Sequence, residues 1–220
     1  MKTERFYAAV VAQPRSYRSP RRAAQAAQTR QVVLEAARTL FAERGWSGTG
    51  VRDVATAAGI SVETVYAAVG TKAALFRAAY EGTIVGDNDP TPLADRAMFR
   101  AMGEGVDVAE RAAVAAELIT TIHRRSIGLS RALREGAASD PELAGILATD
   151  EAHRWTDDRR GMELVLRRPV TAAEVDAFWA VTSPEVYDLL TRRRGWADER
   201  YATFVARSFL DLAEEGEQPR

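Results

Sequence analysis

The chain has 220 residues, 46% of them hydrophobic, and a net charge of −1 from 30 Lys or Arg against 31 Asp or Glu, with two His and no Cys. Its length suits one large or two modest domains. The missing Cys excludes disulfides, thiolate metal sites and cysteine nucleophiles, and His123 and His153 match no metal-ligand spacing, so no metal is expected. The longest apolar run near the start, Phe6 to Ala12, is too short for a secretory core or a membrane span. A cytoplasmic protein without membrane association is expected.

The small net charge hides a segregation. Residues 1–80 carry 12 Lys or Arg against 5 Asp or Glu, a net of +7, while residues 81–220 carry 18 against 26, a net of −8. A basic front half points to a polyanion partner there.

Residues 1–28 hold Lys2, Arg5, Arg15, Arg18, Arg21 and Arg22 against Glu4 alone, with Pro14 and Pro20 breaking regularity. They read as a flexible basic arm. The spacing of Val33, Ala36, Ala37, Leu40 and Phe41 predicts a helix from Thr29 to Arg44, ended by Gly45, with Trp46 packed beneath. Val51, Val54, Ala55 and Ala58 predict a short second helix that Thr49 can cap and Gly59 stops. Ser61 can cap a third, whose buried side is Val62, Val65 and Val69; Glu63, Thr64, Tyr66 and Ala67 fall on other faces. Counted from Val51, small Ala55 at the fifth position, Gly59 at the ninth and branched Val65 at the fifteenth fit a helix-turn-helix. A fourth helix follows from Ala73 to Val85, and the turn-rich 86–92 marks a boundary.

Beyond it everything reads as helical. Leu93 to Met102 forms a short segment. A long helix starts at Val108, and Asp140 with Pro141 starts another that runs to Leu166. Thr171 caps a helix holding Val175, Phe178 and Trp179, which Ser183 and Pro184 kink or restart and Gly195 stops. The last begins near Asp198 with Tyr201, Phe204, Val205, Phe209 and Leu212 as its stripe. No stretch alternates with period two, so no sheet is expected and the fold class is all-α.

The Gly45-Trp46 pair, the run VRDVATAAGIS and the spacing of Thr64, Tyr66, Gly70, Lys72, Leu75 and Phe76 resemble the DNA-binding domain of the tetracycline-repressor (TetR) family over Thr29 to Tyr80. More weakly, TSPEVYDLL followed by RRRGWADERY resembles the C-terminal part of its members. The resemblance implies a three-helix head over 29–85 that binds a palindromic operator, and a helical domain over 86–220 for a small-molecule ligand and homodimerisation. Carried over, Thr49, Thr64, Tyr66 and Lys72 would bind phosphates, and Val62, Glu63 and Ala67 would face base edges. Ala67 and Ala68 depart from the aromatic, His or Arg residues common just after the Tyr; neither hydrogen-bonds a base, which leaves direct readout thin. The chain has 28 Arg and only two Lys, so Lys72 at a helix start, where the dipole disfavours a cation, suggests a phosphate contact.

Val175, Phe178, Phe204 and Phe209 are the candidates for a subunit interface. Phe99, Met102, Ile119, His123, Trp155 and Met162 lie on helices that would surround a ligand, and His123 with Arg124 offers a meeting point for an anionic one. No phosphate loop or Ser-His-acid cluster is present, so no catalytic residue and no cofactor are expected. The function read from these features is a ligand-modulated DNA-binding transcriptional regulator, a repressor. Its competitor is a helical ligand-binding or protein-interaction module that has lost specific DNA binding.

Overall fold

The computed structural model describes residues 20–87, 89 and 91–217, and among these there is no strand. Helix α1 spans Pro20–Arg44 and starts nine residues before the expected Thr29. Its first turns are rich in Ala, Arg and Gln, all strong helix formers, and Pro is tolerated at a helix start. Residues 21–28 are all exposed, so propensity rather than packing carries this extension. The flexible arm expected over 1–28 is therefore helical from Pro20, and its first 19 residues lie outside the described ones.

Helix α2 is Val51–Ala58 and α3 is Val62–Val69. The cap of α2 is Gly50 rather than Thr49: the Gly50 amide donates to the Asp53 carboxylate at 2.7 Å. Thr49 is buried, and its hydroxyl donates to the Leu40 carbonyl at 3.1 Å. Gly59 takes φ +67°, the left-handed conformation that ends α2 and aims the chain into α3. Ser61 caps α3, its hydroxyl accepting from the Thr64 amide, and Thr71 caps α4 (Lys72–Val85) in the same way through Ala74. Each such cap contributes about 1 kcal/mol.

These four helices close on Val33, Ala37, Phe41, Val54, Val65, Leu75 and Phe76, all fully or almost fully buried. Phe41 stacks on Trp46 with centroids 5.8 Å apart and meets the edge of Phe76 at 5.0 Å. Such pairs add about 0.5–1.5 kcal/mol each beyond their buried area. This core does not stop at residue 86. It runs on into Leu129, Ala132 and Leu133 of α6 (Val108–Ala137) and Leu143 and Ile146 of α7 (Pro141–Leu166). Two glycines on α6 make the joint tight. A Cβ on Gly128 would stand 2.7 Å from Ala42, and one on Gly136 would meet Leu143 and come 2.8 Å from Trp46.

Between α4 and α6 the short α5 (Ala97–Arg100) sits among single 3₁₀ turns. After α7 come α8 (Ala172–Val181), α9 (Pro184–Asp188), which widens into a π turn over 189–193, and α10 (Asp198–Glu217). The caps fall where the sequence puts them. Asp140 accepts from Glu142 and Leu143, Thr171 forms a capping box with Glu174, and Ser183 restarts the chain as α9.

A second core of Met162, Val165, Val175, Phe178, Tyr201, Val205 and Phe209 fills this end, with α10 packed along α6. Here the expected subunit interface needs correction. Val175, Phe178 and Phe209 are at most 2% exposed within a single chain, because α8 and α10 close on α6 and α7; only Phe204 stays half-buried. No helix among the described residues is long and apolar enough to cross a membrane.

Candidate nucleic-acid interface and ligand cavity

The outward side of the head is α3. Val65 is sealed beneath it and Val62 and Val69 are half-buried, which leaves Glu63, Thr64, Tyr66 and Ala67 on the open face, Tyr66 at 52% exposure. The Thr64 hydroxyl lies 3.0 Å from that of Ser61, so the cap also orients it. The Glu63 carboxyl is held below the usual carboxylate range by backbone and Ser61 hydrogen bonds and stays anionic. A carboxylate can accept from a cytosine amino group, and it repels phosphate.

At the other end of α3, Arg30 donates from α1 to the Ala68 carbonyl at 3.0 Å. A guanidinium at a helix C-terminus satisfies a carbonyl that the helix leaves orphaned and complements its dipole. Nothing local signals this contact, since the two residues are 38 apart and neither belongs to a local motif.

The expected phosphate ligands are placed differently from one another. Thr49 faces the interior of the head. Lys72 is half-buried, its ammonium 2.7 Å from the Trp46 carbonyl and 3.9 Å above the Trp46 ring. Burial lowers its pKa, while Asp140, Glu135 and Asp53 act in the opposite sense. An ammonium has three donors, and one of them fixes the loop between α1 and α2 to α4.

Behind the head lies a cavity of about 770 Å³. Of the residues expected around a ligand, Phe99, Met102, Ile119 and His123 line it. Trp155 and Met162 do not. The Trp155 indole donates to Asp176 at 2.8 Å, and Met162 is fully buried in the second core. Arg124 is also outside the wall, 59% exposed and 3.8 Å from Asp198, so the expected meeting point of His123 and Arg124 for an anionic ligand does not form. The wall also takes in α1 and α4 of the head, through Arg30, Leu34, Tyr80, Gly82 and Ile84.

Polar groups that sequence reasoning passed over sit in this wall: Asp150, Arg154, Asp157 and Asp158 of α7, and Ser126 and Thr182. Asp150 accepts from the Tyr80 hydroxyl at 2.9 Å; its pKa is raised by burial against the pull of that bond. Asp158 pairs with Arg154 at 3.3 Å, yet burial pushes it up to about 7. Asp157 is likewise raised by burial, opposed by Arg160. The His123 ring is 5% exposed, with Nε2 2.8 Å from the Thr182 carbonyl, and burial pushes its pKa down to about 4. A carbonyl only accepts, so Nε2 carries the proton and Nδ1 presents a lone pair.

Three polar ties join the cavity-bearing part to the head. Glu135 of α6 accepts from the Trp46 and Ser47 amides at 3.2 Å each, Tyr80 reaches Asp150, and Arg125 donates to the Ile84 carbonyl.

Residues 33–79 match the family model for bacterial regulatory proteins of the tetR family. No curated protein sequence matches the chain. Among solved structures, a putative TetR-family transcriptional regulator from Mesorhizobium loti superposes with a TM-score of 0.65 at 17% identity, over 86% of this chain and 98% of the other. A transcriptional regulator from Rhodococcus sp. Rha1 gives 0.63 at 20% identity over 85% and 96%. NalD of Pseudomonas aeruginosa, the secondary repressor of the MexAB-OprM multidrug efflux pump, gives 0.60 at 20% identity over 84% and 96%. Over residues 33–79 the head is thus similar in sequence to the bacterial regulatory proteins of the tetR family, and the whole chain has the all-helical fold of the TetR-family transcriptional regulators.

Proposed function

We propose that the protein is a homodimeric transcriptional regulator, a repressor, whose α3 enters the major groove of an operator and whose grip is altered by a small molecule in the cavity. The observation that supports this most is the sharing of one cavity wall between head and body. Tyr80 and Ile84 of α4 and Leu34 of α1 face the same space as Ile119 and Asp157. A molecule filling it touches both parts, so its affinity depends on how they sit, which is the condition for shifting a conformational equilibrium. Arg30 lines that space and holds the end of α3.

On this reading Tyr66, Thr64 and Lys72 contact phosphates, while Glu63, Ala67 and the half-open Val62 meet base edges. With Ala67 and Ala68 unable to hydrogen-bond a base, one head binds weakly, and two heads on one duplex recover affinity through effective concentration. The pairing surface then falls to outward residues of α8 and α10, Phe204 among them. The same two alanines favour the second reading, a ligand-binding module without specific DNA contacts. Footprinting on DNA upstream of the chain's own coding sequence separates the two. Protection of two half-sites roughly 10 base pairs, or a multiple of that, apart is expected; uniform or no protection would leave the second reading standing.

A further inference from the structure

The charge and hydrogen-bonding character of the cavity bears on what fills it, and this inference rests on the ligand-binding reading above. The walls are largely apolar: Phe99, Met102, Leu118, Ile119 and Ile122 line it. Set among them are groups that accept. Asp157 and Asp158 stand on α7, and facing the same space from α6 are His123 and Ser126, 5% and 1% exposed. Neither the His123 Nδ1 nor the Ser126 hydroxyl has a hydrogen-bond partner among the described residues. The four residues therefore combine two carboxyls, one bare lone pair and one unsatisfied hydroxyl.

The guanidiniums in the wall are largely engaged elsewhere. Arg154 donates to the Trp179 carbonyl at 2.8 Å and lies over the Trp179 ring, besides pairing with Asp158. Arg30 holds Ala68. Arg160 is exposed at the rim. Asp87 and Asp89, also at the rim, are bridged by Arg96, while Asp158 pairs with Arg154 and Asp157 has no ion pair among the described residues.

We propose that the cavity selects a lipophilic amine: an apolar body of drug size whose protonated nitrogen donates to His123 Nδ1 and Ser126 and offsets the Asp157 carboxyl beside the Arg154–Asp158 pair. A carboxylate in the same place would meet the Asp157 carboxyl and a bare lone pair, with the Ser126 hydroxyl as the one buried, unpartnered donor that the described wall offers. The amine supplies what the wall lacks, since a buried acceptor without a donor and a buried carboxyl without a counter-charge are both costly. The cavity volume lies within the range of sites for drug-sized molecules.

The test is isothermal calorimetry on the full chain at pH 7.5 with three probes of one shape: 1-naphthylmethylamine, 1-naphthalenemethanol and 1-naphthylacetate. The amine is expected to bind at least ten times more tightly than the acetate, with the alcohol between them. Asp157→Asn should bring amine and alcohol to within about twofold of each other, a difference worth roughly 0.4 kcal/mol or less. Ser126→Ala should weaken the amine while leaving the melting temperature of the free protein equal or higher, because it removes an unsatisfied hydroxyl. An acetate that binds as tightly as the amine, or an amine preference that survives Asp157→Asn and Ser126→Ala together, overturns the proposal. Absence of binding by all three overturns it together with the ligand-binding reading. Amine binding that leaves DNA affinity unchanged contradicts only the regulatory coupling.

Discussion

The head and the cavity-bearing body satisfy their polar groups in opposite ways. In the head, the Thr49 hydroxyl, the Lys72 ammonium and the caps at Ser61 and Thr71 all have partners within the chain, and four aromatic rings lock the interior. Every buried side-chain atom without a partner, among the described residues, belongs to α6, α8 or α10. A region whose hydrogen bonds are complete presents a fixed surface, as a rod entering a groove requires. One that leaves a lone pair, a hydroxyl and raised carboxyls around an open volume gains stability when something fills it. The two meet where Gly128 and Gly136 let α1 and Trp46 lie against α6.

The largest effect is expected where the two regions join. Gly136→Ala places a methyl into Trp46 and Leu143, and overpacking at such a site costs on the order of 2 kcal/mol. Urea unfolding followed by Trp fluorescence should show a lower midpoint for the whole chain. A shift confined to one of two separate transitions would show that head and body unfold independently.

With His123 at about 4 in the folded chain against an ordinary 6.5, the unfolded form alone binds that proton between these values, so stability rises with pH through this window. Asp158, at about 7 against an ordinary 3.8, binds its proton in the folded form, so stability falls as pH rises from about 4 to 7. The two slopes oppose each other. His123→Gln keeps a donor for the Thr182 carbonyl and removes the rising slope, leaving Asp158, with Asp150 and Asp157 acting in the same direction. Its stability should drop by on the order of 2 kcal/mol between pH 4.5 and 7.5 relative to the parent, read from denaturant midpoints. An unchanged profile would show that His123 is not held neutral.

How legible these regions were in the sequence follows from how local their signals are. Ser61, Asp140 and Thr171 cap helices where the sequence placed them, because a cap is decided within four residues. The first turns of α1 escaped because Ala, Arg and Gln form a helix with no apolar stripe to mark it. An apolar stripe says that a face is covered and not by what, which is why Val175, Phe178 and Phe209 read as subunit contacts although their own chain covers them. Asp150, Asp157 and Asp158 look along the sequence like a solvated helix face; only the fold turns them toward Phe99 and Ile119.

Smaller effects are expected at the DNA face. Lys72→Ala should weaken binding to all sequences and lower the salt slope by about one if the ammonium also meets a phosphate. A mutant with the parental slope and a lower melting temperature would confine Lys72 to its Trp46 contact. Smaller still, Arg30→Ala removes the contact at the end of α3, worth about 1 kcal/mol at a helix C-terminus, and should reduce operator affinity by roughly threefold to tenfold without changing the salt slope by more than one. Equal affinity would show that α3 needs no support from α1.

Helix α3 stands as an exposed rod on a completed head, as entry into a duplex groove requires. Fluorescence anisotropy with the upstream duplex and a scrambled duplex of equal length, at one stated salt concentration, tests it most directly. Preference for the upstream duplex by roughly a thousandfold is expected, reduced toward unity in Glu63→Ala/Tyr66→Ala with the fold intact by circular dichroism. Equal affinity for both duplexes, or a preference untouched by the double substitution, would contradict the account.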